Sequence, residues 1–219
     1  MRAKTWWQLL SLIGGRPRHE LASWVHERRQ SEKRHAHQFV LTASNTLPAP
    51  SIRPLLAADA VAYQALRLRA LSEHPAAFTS SAEDEAARPL SWSEQRLKPD
   101  AQRPHDIFLG AWQSNLLLGM VGLQGRYRVK ERHNATLVGL YVAPQGSGHG
   151  LGLALVQALL AHARSLPELQ QLDLTVTEGN PTAQALYERC GFSVWGVMPR
   201  AVKVDGRLFA KVHMVCPLR

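Results

Sequence analysis

The fold is decided by residues 137–160, LVGLYVAPQGSGHGLGLALVQALL. The stretch opens with a short apolar run, which indicates a strand buried on both faces. It closes with leucine and alanine at helical spacing. Between strand and helix, Gly146, Gly148, Gly150 and Gly152 fall on alternate positions, where the backbone can turn sharply and its N–H groups are unshielded.

Unshielded N–H groups at the start of a helix are a potential anion site. These donors lack intrahelical partners, and the helix dipole is positive at this end, so a phosphate ester can bind there. The stretch therefore predicts a phosphate-bearing cofactor. A glycine-rich turn without a ligand would give the same pattern, because glycine motifs are weak by themselves.

Length and composition suit one domain plus an appendage. A chain of 219 residues can bury a full core. Two cysteines, Cys190 and Cys216, are too few for a disulfide framework and lack metal-type spacing, so we expect no metal. No apolar run reaches membrane-spanning length, and no small-residue cleavage site follows the apolar stretch from Trp6 to Ile13. A cytoplasmic protein without a membrane partner is the expectation.

The positive charge is concentrated near the start of the chain. Residues 1–50 hold eight Lys/Arg and three Asp/Glu, so five of the nine net positive charges fall in the first quarter. Residues 16–37 show no sustained apolar stripe, and we expect residues 1–50 to be a basic N-terminal extension, partly disordered or helical. Few aromatic side chains are interleaved with its basic residues for base stacking, so nucleic acid is not the expected partner.

From Ser51 onward the pattern is regular. It predicts a strand, two helices, three strands, the glycine loop with its helix, a strand, a helix and two strands. Asp59 is placed as the N-cap of a helix that runs from Ala60 to about Leu71, and the capping-box spacing of Ser91 and Glu94 predicts the start of a short helix. This order predicts a mixed sheet with helices on its faces.

Two hairpins are predicted from turn signals. The first joins strands 106–112 and 116–123 through the polar connection 113–115. The second joins strands 194–204 and 207–215 through Asp205-Gly206, the strongest short hairpin signal in the chain.

Three segments at defined mutual spacing resemble a known family: LYVAP at 140–144, GHGLGLALV at 148–156 and EGNPTAQALYERCGF at 178–192. Together they resemble the signature of the GNAT superfamily of N-acetyltransferases. The resemblance covers residues 51–219 and implies an α/β (α+β) GNAT fold, with a central mixed, mostly antiparallel twisted sheet of six to seven strands and helices on both faces. It also implies transfer of an acyl group, other than an aminoacyl group, from acyl-coenzyme A to an amine.

The resemblance assigns the cofactor-binding residues. The pyrophosphate of acetyl-CoA would be held by backbone N–H groups of Ser147, Gly148, His149, Gly150, Leu151, Gly152 and Leu153. Family members usually carry Arg or Gln where this loop starts; here Ser147 occupies that place, or Gln145 if the alignment shifts by one glycine. Family members also splay the two central strands at a bulge, so that the pantetheine arm pairs with a strand edge. Here that edge would be Leu140, Tyr141 and Val142, with Asn180 as a further contact or simply as a helix cap.

The chemistry requires an acid and a base. Tyr187 stands where the family has its general-acid tyrosine, although Ala183, Leu186 and Cys190 share its helix stripe and would suit a core tyrosine equally well. Many family members carry a glutamate early on the strand where this chain has Thr136, which cannot act as a base. Candidates for the base are therefore Glu131, His133 and Glu178, acting through water.

The sequence thus predicts an enzyme that moves an acetyl group from acetyl-CoA to a primary amine, by direct attack in a ternary complex. The amine would belong to a small molecule or to a peptide or protein N-terminus. It would lie between residues 71–89, the final hairpin and the thioester, where Glu83, Asp84 and Glu85 either attract a cationic amine or are simply solvated. Because the family glutamate is missing, an alternative hypothesis is that the protein is a catalytically idle acyl-CoA-binding module. The oligomeric state, including a homodimer, is left open.

Overall fold

The computed structural model describes residues 49–219. The extension predicted over residues 1–50 therefore lies almost wholly outside the described residues. The described part contains seven strands and five α-helices. In chain order they are β1 (Ser51–Pro54), α1 (Ala60–Glu73), α2 (Ala82–Ala86), α3 (Leu90–Leu97), β2 (Ile107–Gln113), β3 (Leu116–Gly125), β4 (Asn134–Val142), α4 (Leu151–Ser165), β5 (Gln171–Thr177), α5 (Pro181–Arg189), β6 (Ser193–Val204) and β7 (Arg207–Pro217).

The strands form one sheet in the order β1-β2-β3-β4-β5-β7-β6. Every neighbouring pair is antiparallel except β4 and β5, which are parallel and are joined through α4. A parallel pair needs such a crossover because the chain must return to the same end of the sheet. The predicted mixed, mostly antiparallel sheet is confirmed.

Helices cover both faces of the sheet, as predicted. One apolar cluster joins α4 and α5 to the sheet through residues such as Leu155, Leu159 and Tyr187. A second cluster joins α1 and α3 to the sheet through residues such as Tyr63 and Leu97. Each of these four helices is thus fixed by burial of its apolar residues. No helix in residues 49–219 is long and apolar enough to cross a membrane.

Both predicted hairpins are confirmed, each with a two-residue turn. Ser114 and Asn115 connect β2 to β3 with φ of 47° and 68°, and Asp205 and Gly206 connect β6 to β7 with φ of 47° and 80°. Positive φ at both central residues is typical of the type I′ turn, whose twist matches that of the paired strands. Gln113, predicted to lie in the connection, belongs to β2.

Of two predicted helix starts, the one at Asp59 is confirmed in position and the one at Ser91 is wrong. Asp59 occupies the N-cap of α1, but its carboxylate makes no capping bond there. Instead it accepts hydrogen bonds from the Arg53 guanidinium at 2.7 Å and from the Leu56 N–H at 2.8 Å. The capping box at Ser91 is wrong, because α3 already begins at Leu90, directly after the extended Pro89.

Candidate active site

Strands β4 and β5 separate in the middle of the sheet. They pair with each other over residues 134–136 and 171–173. Beyond this point β4 continues to Val142 paired with β3, and β5 continues to Thr177 paired with β7. Across the described part of the sheet, the facing edges of β4 and β5 therefore present backbone N–H and C=O groups to a gap.

A β-bulge in β4 lies at the start of this gap. Gly139 and Leu140 together stand opposite the single β3 residue Val121. Gly139 has a φ of 66°, a conformation that suits glycine and few other residues. The structure therefore has both the splayed central strands and the bulge that the family resemblance implied.

A cavity of about 390 Å³ opens at the gap. Its walls come from α1, the 77–80 loop, α3, the sheet and α5. Three of the predicted site residues, Leu140, Asn180 and Tyr187, line it together. The geometry thus brings the proposed acid, the proposed helix-cap contact and the strand edge to one place.

Tyr187 belongs both to the core and to the cavity wall. Its ring packs edge to face against Phe192, with the ring centroids 5.8 Å apart, and the residue is 7% exposed. Burial raises the pKa of Tyr187 above its ordinary value. The phenol is therefore held in its protonated form, next to the gap, which is the state that a proton donor needs.

Asn180 caps helix α5. Its side-chain oxygen accepts a hydrogen bond from the Ala183 N–H at 3.0 Å, and Pro181 follows at the first helical position. Both features match the predicted cap. Because Asn180 also lines the cavity, its cap and the predicted contact with the pantetheine arm are compatible.

The glycine loop is open to solvent just before α4. Gly148 and Gly150 have φ of 79° and 72°, and a Cβ atom on either would meet no heavy atom within 4 Å. Their backbone is therefore bare on its outer side. Ser147 and His149 are exposed, and the His149 Nδ1 atom donates to the Ser147 carbonyl oxygen at 2.8 Å.

At Gly152 the lack of a side chain matters for helix packing, unlike at Gly148 and Gly150. A Cβ atom there would lie 3.2 Å from Leu186 Cδ1 of helix α5 and 3.7 Å from Val142 Cγ2. The absence of a side chain therefore lets α4 approach α5 closely. Leu151 is buried in the core at the helix start, while Leu153 is partly exposed.

The strand-edge residues divide between the two faces of the sheet. Leu140 and Val142 are partly buried against the cluster under α4 and α5. Tyr141 points to the other face, where its hydroxyl donates to Glu73 Oε2 at 2.5 Å. Burial and this hydrogen bond raise the pKa of Tyr141 to about 12. Only the backbone of Tyr141 is therefore directed along the gap.

None of the three base candidates lines the cavity. The His133 ring accepts from the Asn134 amide at 3.1 Å, before β4 begins, and Glu131 lies in the preceding turn. Glu178 follows the end of β5, exposed, with its N–H donating to the Ala210 carbonyl at 3.0 Å. Each of them would need water to reach an amine in the cavity.

Thr136, which stands where many family members carry a glutamate, is hydrogen-bonded to a carboxylate that the sequence analysis did not single out. Thr136 lines the cavity, and its hydroxyl donates to Asp173 Oδ1 at 2.6 Å. The other oxygen of Asp173 pairs with Arg126. Thr136 and Asp173 stand side by side in the parallel register of β4 and β5, which cannot be read from their separation in sequence.

Two arginines line the side of the cavity formed by α1 and α3. Arg67 Nε lies 3.2 Å from Glu85 Oε1, and an Arg67 terminal nitrogen donates to the Ser80 hydroxyl at 3.2 Å. Glu85 is buried, whereas Glu83 and Asp84 are exposed on α2. Glu85 is therefore paired with Arg67, and the other two acids are exposed; none of the three lines the cavity.

The second arginine, Arg96, is stacked between aromatic rings. Its guanidinium carbon lies 5.0 Å from the ring centroid of Trp92 and 4.9 Å from that of Phe108. Its Nε atom is buried and has no hydrogen-bond partner among the described residues. Sequence analysis missed both arginines, although the spacing of Trp92 and Arg96 on one helix face is a signal for such stacking.

Comparison with known proteins finds acetyltransferases among the curated relatives. Mycothiol acetyltransferase of Salinispora tropica is 33% identical over 143 residues, which are 63% of this chain and 42% of that protein. The chain spans less than half of the length of the mycothiol acetyltransferases that it matches.

Solved structures show the same architecture. An acetyltransferase of the GNAT family from Streptococcus pneumoniae superposes with a TM-score of 0.69 at 23% identity, over 77% of this chain and 98% of that one. The protein yncA of Salmonella typhimurium, solved with its cofactor acetyl-CoA, superposes with a TM-score of 0.64 at 22% identity, over 78% and 95%. The sequence pattern of the acetyltransferase (GNAT) family matches residues 68–192, more than half of this chain. The chain belongs to the acetyltransferase (GNAT) family.

Proposed function

We propose that this protein transfers an acetyl group from acetyl-CoA to a primary amine by direct attack in a ternary complex. The observation that carries the proposal is the gap between β4 and β5. It opens beyond residues 136 and 173, and Tyr187 lines the cavity there. The glycine loop connects the end of β4 to α4. Membership of the acetyltransferase (GNAT) family also supports acetyl transfer.

Two parts of acetyl-CoA, the pyrophosphate and the pantetheine arm, have candidate positions on the chain. The bare backbone at Gly148 and Gly150, at the start of a helix of 15 residues, suits the pyrophosphate. N–H groups from Ser147 to Leu153 would hold it, and the β4 edge from Leu140 to Val142 would pair with the amide-containing arm. When bound, acetyl-CoA supplies an activated acyl carbon and a thiol leaving group.

Tyr187 would act as the general acid. As the bond from nitrogen to the acyl carbon forms and the bond to sulfur breaks, the sulfur gains negative charge and takes a proton. The Tyr187 hydroxyl is held protonated beside the gap, so it can donate that proton or position the sulfur by hydrogen bonding.

Over the reaction the protonated amine loses two protons, while Tyr187 donates one to the leaving sulfur. An alkylamine with a pKa of about 10.4 is mostly protonated near neutral pH. One proton goes to solvent before attack, and the second, lost from nitrogen after attack, balances the proton that Tyr187 donates. His133, Glu131 and Glu178 are candidates to accept a proton through water, since none of them lines the cavity.

The second candidate function is an acyl-CoA-binding module without turnover. Thr136 favours it, because a hydroxyl already bonded to Asp173 replaces a family carboxylate. A thiol-release assay with acetyl-CoA and a panel of peptides, polyamines, aminoglycosides and amino acids tests the two functions. Acceptor-dependent thiol release supports the transferase. Tight acetyl-CoA binding by calorimetry, with no thiol release on any acceptor, supports the module.

A further inference from the structure

We infer that the acceptor is an amine that also bears an anionic group, most simply the carboxylate of an amino acid, and that Arg96 binds this group. The inference rests on the proposed function and specifies its substrate class. It starts from the charges around the cavity. The charged side chains that line it are Arg67 and Arg96, and no aspartate or glutamate of residues 49–219 is among the lining residues.

Arg67 is already engaged within the protein. Its ion pair with Glu85 is buried, with the two side chains 9% and 3% exposed, and Glu85 also meets Arg88 at 3.3 Å. Removing either partner of a buried pair leaves an uncompensated charge. Arg67 and Glu85 therefore serve to join α1 to α2, which leaves Arg96 as the lining residue whose charge is not paired within residues 49–219.

Arg96 differs because it has no carboxylate partner. Across residues 49–219, no acidic side chain lies within the 4.0 Å that defines an ion pair with it. The nearby Asp106 is occupied: it accepts from the Tyr127 hydroxyl at 2.7 Å and from the Gly125 N–H at 2.8 Å. Arg96 Nε is buried without a hydrogen-bond partner.

The stacking of Arg96 fixes its orientation without satisfying its N–H groups. Aromatic faces attract a guanidinium but accept its hydrogen bonds poorly, while a planar carboxylate matches two of its N–H donors at once. A guanidinium held in place between Trp92 and Phe108 loses little freedom when it binds such a group. Tyr63 and Ser80 line the same cavity.

The same charges disfavour acceptors with several ammonium groups. A polyamine or an aminoglycoside would bring a second positive charge to a cavity whose charged lining consists of guanidinium groups, and it would find no lining carboxylate. Like charges in a partly desolvated site repel strongly. An amino acid instead offers its carboxylate to Arg96 while its nitrogen reaches the gap that Tyr187 lines.

The test compares matched acceptors with the full chain and acetyl-CoA. Each amino acid is paired with the amine that lacks its carboxylate: L-leucine with 3-methylbutylamine, L-methionine with 3-(methylthio)propylamine, and L-tyrosine with tyramine, with spermidine as a polycation. We expect kcat/KM to be at least about tenfold higher for the acid than for its amine in the best pair, as for one charge-assisted bidentate contact. Turnover of the amines or spermidine with no preference for the acids would overturn the inference and leave the proposed function standing.

Substitution of Arg96 assigns the preference to this residue. Arg96→Met is expected to raise KM for the acid at least about tenfold and to leave the carboxylate-free amine within about threefold, which removes the preference. Arg88→Met is the matched control, because Arg88 stacks on the same Trp92 ring at 4.1 Å but does not line the cavity. An Arg96→Met enzyme that folds, as judged by its melting curve, and keeps the preference would overturn the inference. Arg96→Lys, which keeps the charge and loses the planar fork, serves if the Met variant does not fold.

A binding measurement separates this inference from the proposed function. If no acceptor releases thiol, the same three amino acids are titrated calorimetrically into the protein saturated with coenzyme A. Heat that appears with the acids, is absent with the matched amines and disappears in Arg96→Met would support the anion site although transfer fails. Absence of heat with all three acids would overturn it.

Discussion

Tyr187 lines the cavity, and burial raises its pKa, so its hydroxyl stays protonated beside the gap. Tyr187→Phe is expected to lower kcat by about tenfold or more, because the leaving sulfur loses its proton donor. Tyr127→Phe is the control, since its hydroxyl donates to Asp106 at 2.7 Å outside the cavity. Steady-state kinetics measures both variants. Unchanged turnover in Tyr187→Phe would mean that the thiolate leaves without help.

The raised pKa of Tyr187 also predicts the alkaline side of the pH profile. A tyrosine with an ordinary pKa near 10 would begin to lose its proton as the pH approaches that value. Because burial raises the pKa of Tyr187, wild-type kcat should not fall between about pH 7 and 10 through this group. An activity loss centred below pH 10 that disappears in Tyr187→Phe would contradict the raised pKa of Tyr187.

Gly150 tests the pyrophosphate site at the level of one residue. With φ of 72°, a β-branched side chain there costs about 1–2 kcal/mol in backbone strain and covers the bare N–H groups. Gly150→Val is expected to weaken acetyl-CoA binding at least about tenfold by calorimetry. Gly206→Val has comparable strain at φ of 80° in the β6–β7 turn and should leave the affinity unchanged. Equal affinity in the two variants would remove the glycine loop from the cofactor site.

At the scale of elements, the start of α5 has two predicted roles that substitution can separate. Asn180→Ala should lower the free energy of unfolding by about 1 kcal/mol through loss of the cap, whereas Asn180→Ser keeps a capping oxygen and most of the stability. If the Asn180 amide also contacts the pantetheine arm, acetyl-CoA binding weakens in both variants. A Ser variant that binds as tightly as wild type would reduce Asn180 to a cap.

Strand β7 is tied to the short 75–77 turn beside the cavity by one buried lysine. The Lys211 ammonium donates to the Ala77 carbonyl at 2.9 Å, to the Ala76 carbonyl at 3.3 Å and to the Thr177 hydroxyl at 2.8 Å. Across residues 49–219 no carboxylate forms an ion pair with it. Burial therefore lowers the pKa of Lys211 below its ordinary value.

The lowered pKa makes the stability of this contact depend on pH. Between the folded-state pKa and the ordinary value of about 10.5, the unfolded chain binds more protons at this lysine than the folded chain does, so stability rises with pH there. The free energy of unfolding of wild type, measured in urea, should increase relative to that of Lys211→Met as the pH enters this window, by at most about 1.4 kcal/mol per pH unit. If the difference in free energy of unfolding between the two proteins stayed constant over this pH range, the lowered pKa of Lys211 would be contradicted.

Sequence reasoning succeeded where the signal is local. The Asp205-Gly206 turn, the Asn180-Pro181 helix start and the strand before the glycine loop are each encoded in a few adjacent residues. It failed at Ser91, where the proline at position 89 starts the helix earlier, and it gave no sign that a Cβ atom at Gly152 would crowd Leu186 of α5.

Contacts between distant segments could not be predicted in this way. Asp173 meets Thr136 because the register of two parallel strands aligns them, and Glu85 meets Arg67 because α2 folds back on α1. Both pairs depend on the assembled sheet and helices, and a single sequence contains no local signal for either. The charge of the cavity, and with it the expected class of acceptor, therefore emerges only at the scale of the domain.

For the whole molecule, acetyl-CoA is expected to stabilise the native state, because the glycine loop and the gap between β4 and β5 come together only on folding. A ligand at a hundred times its Kd adds about 2.7 kcal/mol, which corresponds to about 5–10 °C in Tm for a chain of this size. Pantetheine, which lacks the pyrophosphate, should give a clearly smaller shift at equal concentration in a melting experiment. If both compounds gave the same shift, binding energy would come from the strand edge alone, and the alternating glycines would serve the turn rather than the ligand.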